Sequence, residues 1–326
     1  MNHRPSKACW PGCHLLLLLA LWVVATGCAG CTSQGDEEKR KYVRPPPKML
    51  TEMELLRLYA EKGDAKSQDQ LGQLYATGGS GLPKSDIDAV KWLKASADQG
   101  NPLAQYHLGL RYADPRSVLQ NDVEAVKWFR LAAAQEQADP QYQLGMMTFN
   151  GRGTEQDLAE AVRWFRQAAE KGHTAAQTQL GLMAASGQGL PQDYQDALKW
   201  YGGAAARGDA TAQRMLGELY VKGLGTPRDY AEAAKWYLKA AEQGDDLAQL
   251  ALGSLYIFGQ GVRQDLVEAY KFFLLAGTQE SNQGEVRVKA MRFGSEVRGR
   301  LTAAEVAESQ RRAAIFAPRK TASSGN

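Results

Sequence analysis

Four histidines are the side chains best suited to acid–base or metal chemistry in this sequence, and their spacing argues against both. His3 and His14 fall near the N-terminus, whereas His107 and His173 stand 66 positions apart. Neither of the latter two has a cysteine or a second histidine at the spacing that zinc ligands use. His107 is expected on the exposed side of a helix and His173 in a turn, so both are predicted to be solvated. No catalytic residue, metal ligand or cofactor is predicted.

Glycine pairs such as Gly223 and Gly225 recur along the chain, but they do not form a phosphate-binding loop. They follow helical segments, and most lack the lysine and the serine or threonine that such a loop needs. Lys84-Ser85 supplies that dipeptide once, but Pro83 stands where the loop needs its last glycine. Nucleotide binding is therefore not predicted.

The first 27 residues are typical of a signal peptide. Arg4 and Lys7 form a basic start, and an apolar run from Leu15 to Ala25 follows. That run is too short to span a bilayer and suits a signal-peptide core. Small residues then precede Cys28, which resembles the lipobox of bacterial lipoproteins. Cys28 is thus the predicted lipid-attachment site, with Cys31 as a second candidate and simple cleavage of a secretory signal as the alternative.

Cysteine use fits an exported chain without a disulfide framework, because all four cysteines lie at or before Cys31. Cys28 and Cys31 have the spacing of a redox motif but no strand–helix–strand context, so a redox role is not favoured. Residues 28–48 mix charges and end in three prolines and a lysine, which predicts a disordered tether that holds the rest of the chain off a membrane.

Six copies of a 36-residue unit occupy residues 64–280. A Leu-Gly pair recurs at a spacing of 36 residues, with one spacing of 37, and a Trp or Phe recurs every 36 residues. A fixed period of this size indicates a solenoid of helical repeats, in which each unit buries its apolar face against its neighbours. The glycines are Gly72, Gly109, Gly145, Gly181, Gly217 and Gly253, and the aromatic positions are Trp92, Trp128, Trp164, Trp200, Trp236 and Phe272.

Each copy predicts two helices joined by a glycine turn. In the fifth copy, Ala212, Leu216 and Tyr220 form one apolar stripe at helical spacing. The second helix begins at a residue suited to N-capping, and an acid follows three positions later, which is a spacing like that of a capping box. The capping positions are Ser85, Asn121, Asp157, Asp193, Asp229 and Asp265.

The pattern LGxLYxxGxGxxxDxxxAxxWYxKAAxxG resembles the Sel1-like repeat, a relative of the tetratricopeptide repeat, and covers about two thirds of the chain. The resemblance implies an all-α fold, an α/α solenoid wound as a right-handed superhelix. It also implies a scaffold for protein complexes, often in bacterial envelopes. Residues 49–63 align with the second half of a repeat and are expected to form an N-terminal cap. Residues 281–319 are expected to form C-terminal capping helices, with a disordered tail at 320–326.

Charge gives no sign of a nucleic-acid partner. The formal charge of the whole chain is +3, and loss of residues 1–27 removes two bases and no acids, which leaves +1. A nearly neutral protein has no electrostatic footprint for a phosphate polymer.

An apolar strip on the first helices of repeats two to four is the predicted binding surface. Its positions point away from the core stripe on a helical wheel, and in a tetratricopeptide-like superhelix the first helices line the concave face. Contiguous exposed apolar area marks an interaction site. The alternative is that Tyr106 and Tyr142 pack on the preceding repeat. The partner-binding residues are predicted to be Tyr106, Leu110, Tyr142, Met146, Phe149 and Leu182.

The sequence therefore predicts a membrane-anchored interaction scaffold that binds a protein partner on its concave face. Ala29 follows Cys28, where an Asp would signal inner-membrane retention, so we expect a lipoprotein of the outer membrane facing the periplasm. The alternative that the resemblance implies is a penicillin-binding or hydrolytic enzyme of the cysteine-rich type. The motifs S-x-x-K, S-D-N and K-T-G of such enzymes are absent, so no enzyme is predicted.

Overall fold

The computed structural model describes residues 50–278 and 284–316, and in this part of the chain every regular element is a helix. The predicted Cys28 anchor, the tether and the tail at 320–326 lie outside the described residues. The helices are α1 (Glu52–Glu61), α2 (Ala65–Thr77), α3 (Asp86–Ala97), α4 (Pro102–Ala113), α5 (Asp122–Ala133), α6 (Ala138–Asn150), α7 (Leu158–Glu170), α8 (Thr174–Ser186), α9 (Tyr194–Ala206), α10 (Ala210–Lys222), α11 (Tyr230–Glu242), α12 (Asp246–Phe258), α13 (Leu266–Thr278), α14 (Gly284–Arg298) and α15 (Ala303–Ile315).

The even-numbered helices α2 to α12 are the first helices of the six repeats, and α3 to α13 are their second helices. Each helix from α1 to α13 packs against the next in the chain, so the apolar core is a row of small clusters between neighbouring helices. First helices of adjacent repeats also touch, as α2 touches α4 and α8 touches α10. None of the described helices is both long and apolar enough to cross a membrane.

The second helices begin where the sequence predicts. In α7, for example, the Asp157 carboxylate accepts a hydrogen bond from the Glu160 N–H at 2.8 Å, which satisfies a donor that the first helical turn leaves free. The acid at the third position does not complete a capping box in these helices. In α5, α11 and α13 it pairs instead with the base three residues later, as Glu124 does with Lys127 at 2.5 Å. In α7, Glu160 accepts a hydrogen bond from the Trp164 indole N–H. Among the described helices, complete capping boxes occur in α1, with Thr51 and Glu54, and in α15, with Thr302 and Glu305.

A buried side chain of the second helix packs directly on the glycine of each Leu-Gly pair. Gly217 faces the Tyr237 ring, and a β-carbon at position 217 would lie 2.7 Å from that ring. The absence of a side chain therefore lets α10 and α11 approach closely. The six pairs are Gly72–Leu93, Gly109–Phe129, Gly145–Phe165, Gly181–Tyr201, Gly217–Tyr237 and Gly253–Phe273.

The regular spacing of the repeat tryptophans predicts that each is buried between the two helices of its own repeat and the next pair, but the structure places them elsewhere. Trp164 is half-buried, whereas its neighbour Phe165 is fully buried. Trp164 packs on the cluster formed by α5 of the preceding repeat and α6 of its own, which includes Phe129 and Leu144. Each tryptophan thus packs its repeat against the one before it. The next residue in the sequence, such as Phe165, forms the centre of the repeat.

Repeat two ends its first helix without the left-handed glycine that the other repeats use. Asp114 caps α4 with extended backbone, because the ADPRSVLQN segment has no glycine there. Arg152 of the next repeat reaches back into this region, donating to the Ala113 carbonyl at 3.0 Å and to the Asp122 carboxylate at 2.7 Å. The departure from the repeat pattern is therefore held by an ion pair between repeats two and three.

Beyond the repeats, α14 and α15 both pack on α13. The Ser309 hydroxyl donates to the Val267 carbonyl at 3.0 Å, and the Phe316 ring meets the Phe272 ring edge to face at 5.5 Å. Arg312 pairs with Glu268 at 2.6 Å. The last repeat is therefore covered by two helices, and α15 packs mainly on α13.

Candidate functional site

The six residues of the predicted strip all lie on first helices and are all half-buried. They differ in this from the expectation of side chains standing in solvent. Tyr106 and Leu110 pack against the cluster around Phe129, and Leu182 packs against the cluster around Tyr201. Tyr142, Met146 and Phe149 pack against the cluster around Phe165. Each side chain thus has one side fixed by the core and the other side accessible.

Tyr106 and Tyr142 each pack on the second helix of their own repeat and not on the preceding repeat. The Tyr106 ring lies 6.2 Å from Phe129, and the Tyr142 ring lies 5.8 Å from Phe165, measured between ring centroids. Burial raises the pKa of both hydroxyls above the ordinary value of 10.0. Both phenols are therefore neutral at physiological pH and can donate or accept a hydrogen bond.

Side chains of neighbouring first helices meet the two tyrosines of the strip. Tyr106 faces Gln143 and the Asp139 carboxylate on α6; the charge of Asp139 contributes to the raised tyrosine pKa, and a hydrogen bond to Gln143 opposes it. Tyr142 stacks on the His173 ring at the start of α8, with 4.4 Å between ring centroids. Tyr106 therefore meets polar groups of α6, and Tyr142 meets an aromatic ring at the start of α8.

Polar clusters flank the strip at both ends. Towards repeat one, His107 Nδ1 lies 2.8 Å from the Asp69 carboxylate and 3.1 Å from the Gln73 amide. Towards repeat six, Arg214 bonds to Asp245 at 3.1 Å and to Glu218 at 2.9 Å. These pairs join α2 to α4 and α10 to α12, so the first helices are tied to each other beyond the apolar part.

Both histidines have structural partners, contrary to the expectation that they are solvated. His173 caps α8: its Nδ1 accepts the Ala176 N–H at 3.1 Å, and its Nε2 lies 3.5 Å from Asp139. Burial lowers the pKa of His173 below 6.5, and the Asp139 charge opposes part of that change. His107 belongs to the Asp69 cluster. Among the described residues no group of histidine, cysteine or acidic side chains could hold a metal ion.

The period and the helix pairs agree with a known repeat. The Sel1 repeat family matches residues 65–101, 102–136, 141–173, 174–209, 210–245 and 246–281, which is more than half of the chain. The chain belongs to the Sel1 repeat family. Its six matched units correspond to the helix pairs from α2–α3 to α12–α13.

Two solved structures resemble this Sel1 repeat protein closely. A protective antigen of uropathogenic Escherichia coli strains is 35% identical, with a TM-score of 0.73; the alignment covers 82% of this chain and 56% of the antigen. A Sel1 repeat protein from Oxalobacter formigenes is 33% identical, with a TM-score of 0.64; the alignment covers 74% of this chain and 68% of that protein. The chain thus spans little more than half the length of the first relative. No curated protein matches the chain.

Sequence reasoning missed a second periodic element of these Sel1 repeats, a buried glutamine in every first helix. Its side-chain amide donates to the backbone carbonyl eight residues earlier, at the end of the preceding second helix, as Gln213 does to Ala205 at 3.0 Å. The 36-residue spacing was visible, but the role depends on how the repeats stack. The glutamines are Gln68, Gln105, Gln141, Gln177, Gln213 and Gln249.

Proposed function

We propose that this Sel1 repeat protein is a non-catalytic adaptor of the bacterial cell envelope. In this proposal it is anchored through a lipid on Cys28 and binds a protein partner across the first helices of repeats two to four. The Sel1 solenoid is a fold typical of protein–protein interaction scaffolds. The observation that carries the proposal is the row of half-buried aromatic and apolar side chains on three successive first helices, from Tyr106 through Tyr142 to Leu182.

Half-burial supports a binding role for this strip. A side chain that is fixed on one side by Phe129 or Phe165 loses little conformational freedom when a partner covers its other side. Binding therefore costs less entropy than it would for freely rotating side chains. Tyrosine and methionine are also enriched at interfaces, where tyrosine combines apolar area with a hydrogen-bonding hydroxyl.

The polar clusters beside the strip suggest the form of the partner. The Asp69–His107 and Arg214–Asp245 pairs already satisfy each other, so they offer little attraction to a new ligand and would lose their remaining hydration if they were covered. The apolar part lies between them and crosses three helices. We expect a single extended or helical segment with apolar side chains to lie along it, as in other recognition modes that use grooves.

The envelope location rests on the N-terminal sequence. The basic start, the short apolar run and the small residues before Cys28 support export and lipid attachment, and Ala29 favours the outer membrane. Cys28→Ala should release the protein from membranes or block its processing, whereas Cys31→Ala should not. Membrane association that survives Cys28→Ala would contradict Cys28 as the anchor.

The binding surface can be tested with Leu110→Gln combined with Met146→Gln. Glutamine keeps the carbon stems that pack on the clusters but places a polar amide on the accessible side. The double variant should lose the partner that wild-type protein captures from solubilised membranes. Ser254→Gln is the matched control, since it changes the equivalent position of repeat six and should retain capture.

Stability must be measured alongside capture. A double variant that keeps its melting temperature within a few degrees but loses the partner supports the proposal. Retention of the partner by the folded double variant would contradict it. A labelled β-lactam supplies the enzyme test, and covalent labelling or turnover by the wild-type protein would overturn the non-catalytic proposal.

A further inference from the structure

Every repeat tryptophan inside the array fills the same kind of groove, between the preceding second helix and its own first helix. Trp128 is the clearest example, because it packs on a cluster that contains Leu93 and Ala97 of α3 and Leu108 of α4, with Val90 at its edge. This groove holds the tryptophan of each repeat against the second helix of the repeat before it. The groove fits a second helix that has an apolar side chain at the tryptophan position.

The same groove exists on α13 and is open in the described structure. The counterparts of Val90, Leu93 and Ala97 five repeats later are Tyr270, Phe273 and Gly277. These three residues line a groove of about 340 Å³ whose other wall is α14. The described residues that line it belong to α13 and α14, and α15 packs mainly on α13. Met291 on the α14 wall is 59% exposed.

The complementary surface lies on α1. This helix is a second helix by its place in the repeat, and Leu55 occupies the tryptophan position, 37 residues before Trp92. Leu55 is 38% exposed, and Tyr59, one turn later on the same face, is 52% exposed. No described helix precedes α1 to cover this face. The described array therefore begins with α1, a second helix that no described first helix precedes. It ends in an unfilled groove between α13 and α14.

We propose that these two surfaces bind each other between two copies of this chain. Helix α1 of one copy lies in the α13–α14 groove of the next and completes the missing half-repeat, with Leu55 and Tyr59 at the tryptophan site. As the second helix of that hybrid repeat, α1 runs antiparallel to α14. Its first residue, Glu52, then lies beside Arg298, the last residue of α14, so the charges at this end of the contact are complementary.

The contact is heterologous, because each copy uses a different surface for each of its two neighbours. Repetition of such a contact produces a ring if the rotation closes and a filament if it does not. The strip on the first helices is not part of this contact. An assembly of this kind would therefore repeat the proposed partner-binding strip along its length.

The test places the photo-reactive residue benzoylphenylalanine at Tyr59 of the full chain. After irradiation we expect a covalent dimer, with larger products at higher concentration, and a cross-linked peptide from residues 270–298 of the second copy. The same probe at Val118, which is 80% exposed in a loop of repeat two, should give no dimer. The proposal would be overturned by a cross-link from position 59 to residues 1–49 of the same chain, by a cross-link to another protein, or by the absence of any cross-link.

Two variants test the groove itself. Gly277→Leu fills it, and the position can accept a side chain because a β-carbon there would lie 3.8 Å from the nearest atom, the Met291 Cγ. We expect a decrease of at least tenfold in dimer yield for this variant. Glu52→Arg should also lower the yield, and mixing it with an Arg298→Glu copy should restore the product. These two charge changes are on exposed residues, so they keep the test valid if Gly277→Leu is unstable. Unchanged dimer yield in folded Gly277→Leu and in Glu52→Arg would contradict the contact.

Discussion

Gly145 and Phe165 face each other inside the third repeat so closely that a β-carbon on the glycine would lie 2.7 Å from the ring. The phenyl ring of Phe165 is fully buried, and the Tyr142 and Phe149 rings pack on its other sides. It cannot move away without disturbing them. This pair sets the distance between α6 and α7, and thus the position of half the predicted strip.

Gly145→Ala should therefore destabilise the protein although alanine is the better helix former. Overpacking of this kind costs about 1–3 kcal/mol, which urea denaturation can measure. Gly202→Ala is the matched control, since Gly202 also lies in a helix and a β-carbon there would meet nothing within 4 Å. That variant should be neutral or more stable by up to about 1 kcal/mol. Equal effects at the two positions would contradict the close contact at Gly145.

Phe165→Ala should cost more stability than Trp164→Ala. Truncation of a fully buried phenylalanine costs about 3–5 kcal/mol, and Phe165 is fully buried. Trp164 is half-buried and packs between repeats, so its truncation should weaken the coupling of repeats two and three and cost less. Denaturation of both variants by urea gives the comparison. A larger loss for Trp164→Ala would restore the view that the tryptophan forms the centre of the repeat.

Arg207→Gln should stabilise the protein by about 1 kcal/mol through a new buried hydrogen bond. The buried Gln177 Oε1 has no hydrogen-bond partner. In repeat five the equivalent Gln213 Oε1 accepts a bond from the Gln243 amide at 2.8 Å, and Arg207 occupies the position of Gln243. The reverse change, Gln243→Arg, should leave Gln213 unsatisfied and lower stability by a similar amount. Thermal melts of the two variants that shift in the same direction would contradict this assignment.

The stability of repeat four should fall as the pH falls below about 6.5. Burial lowers the pKa of His173 in the folded protein, so the unfolded chain binds more protons in the window between that lowered pKa and 6.5. The contribution of neutral His173 to the free energy of unfolding is therefore complete above pH 6.5 and is lost as the pH drops through this window. Protonation also removes the Nδ1 acceptor that caps Ala176, and a lost cap costs about 1 kcal/mol.

His173→Asp provides the control for this pH effect. Aspartate caps the first helices of repeats one, five and six from the equivalent position, and it does not titrate between pH 5 and 7. The urea midpoint of the wild type should fall more than that of His173→Asp between pH 7 and pH 5. Parallel pH profiles for the two proteins would show that His173 does not control stability in this range.

The sequence alone was sufficient for features that depend on contacts between residues close in the chain. The 36-residue period determined the number of repeats and their all-helical fold, because each unit must bury the same apolar stripe. The capping residues located the starts of the second helices, since an Asp side chain reaches only the amides two and three positions ahead. The glycine of each Leu-Gly pair was likewise visible as a fixed position of the repeat.

The tertiary structure decided which of two adjacent aromatic side chains lies in the core of its own repeat. Trp164 and Phe165 point about 100° apart around the same helix, and both are aromatic, so their order in the sequence does not tell which faces α6. The angle at which the helices cross turns Phe165 towards Gly145 and leaves Trp164 for the preceding repeat. His173 gained its partners in the same way, because Tyr142 and Asp139 reach it only when repeats three and four stack.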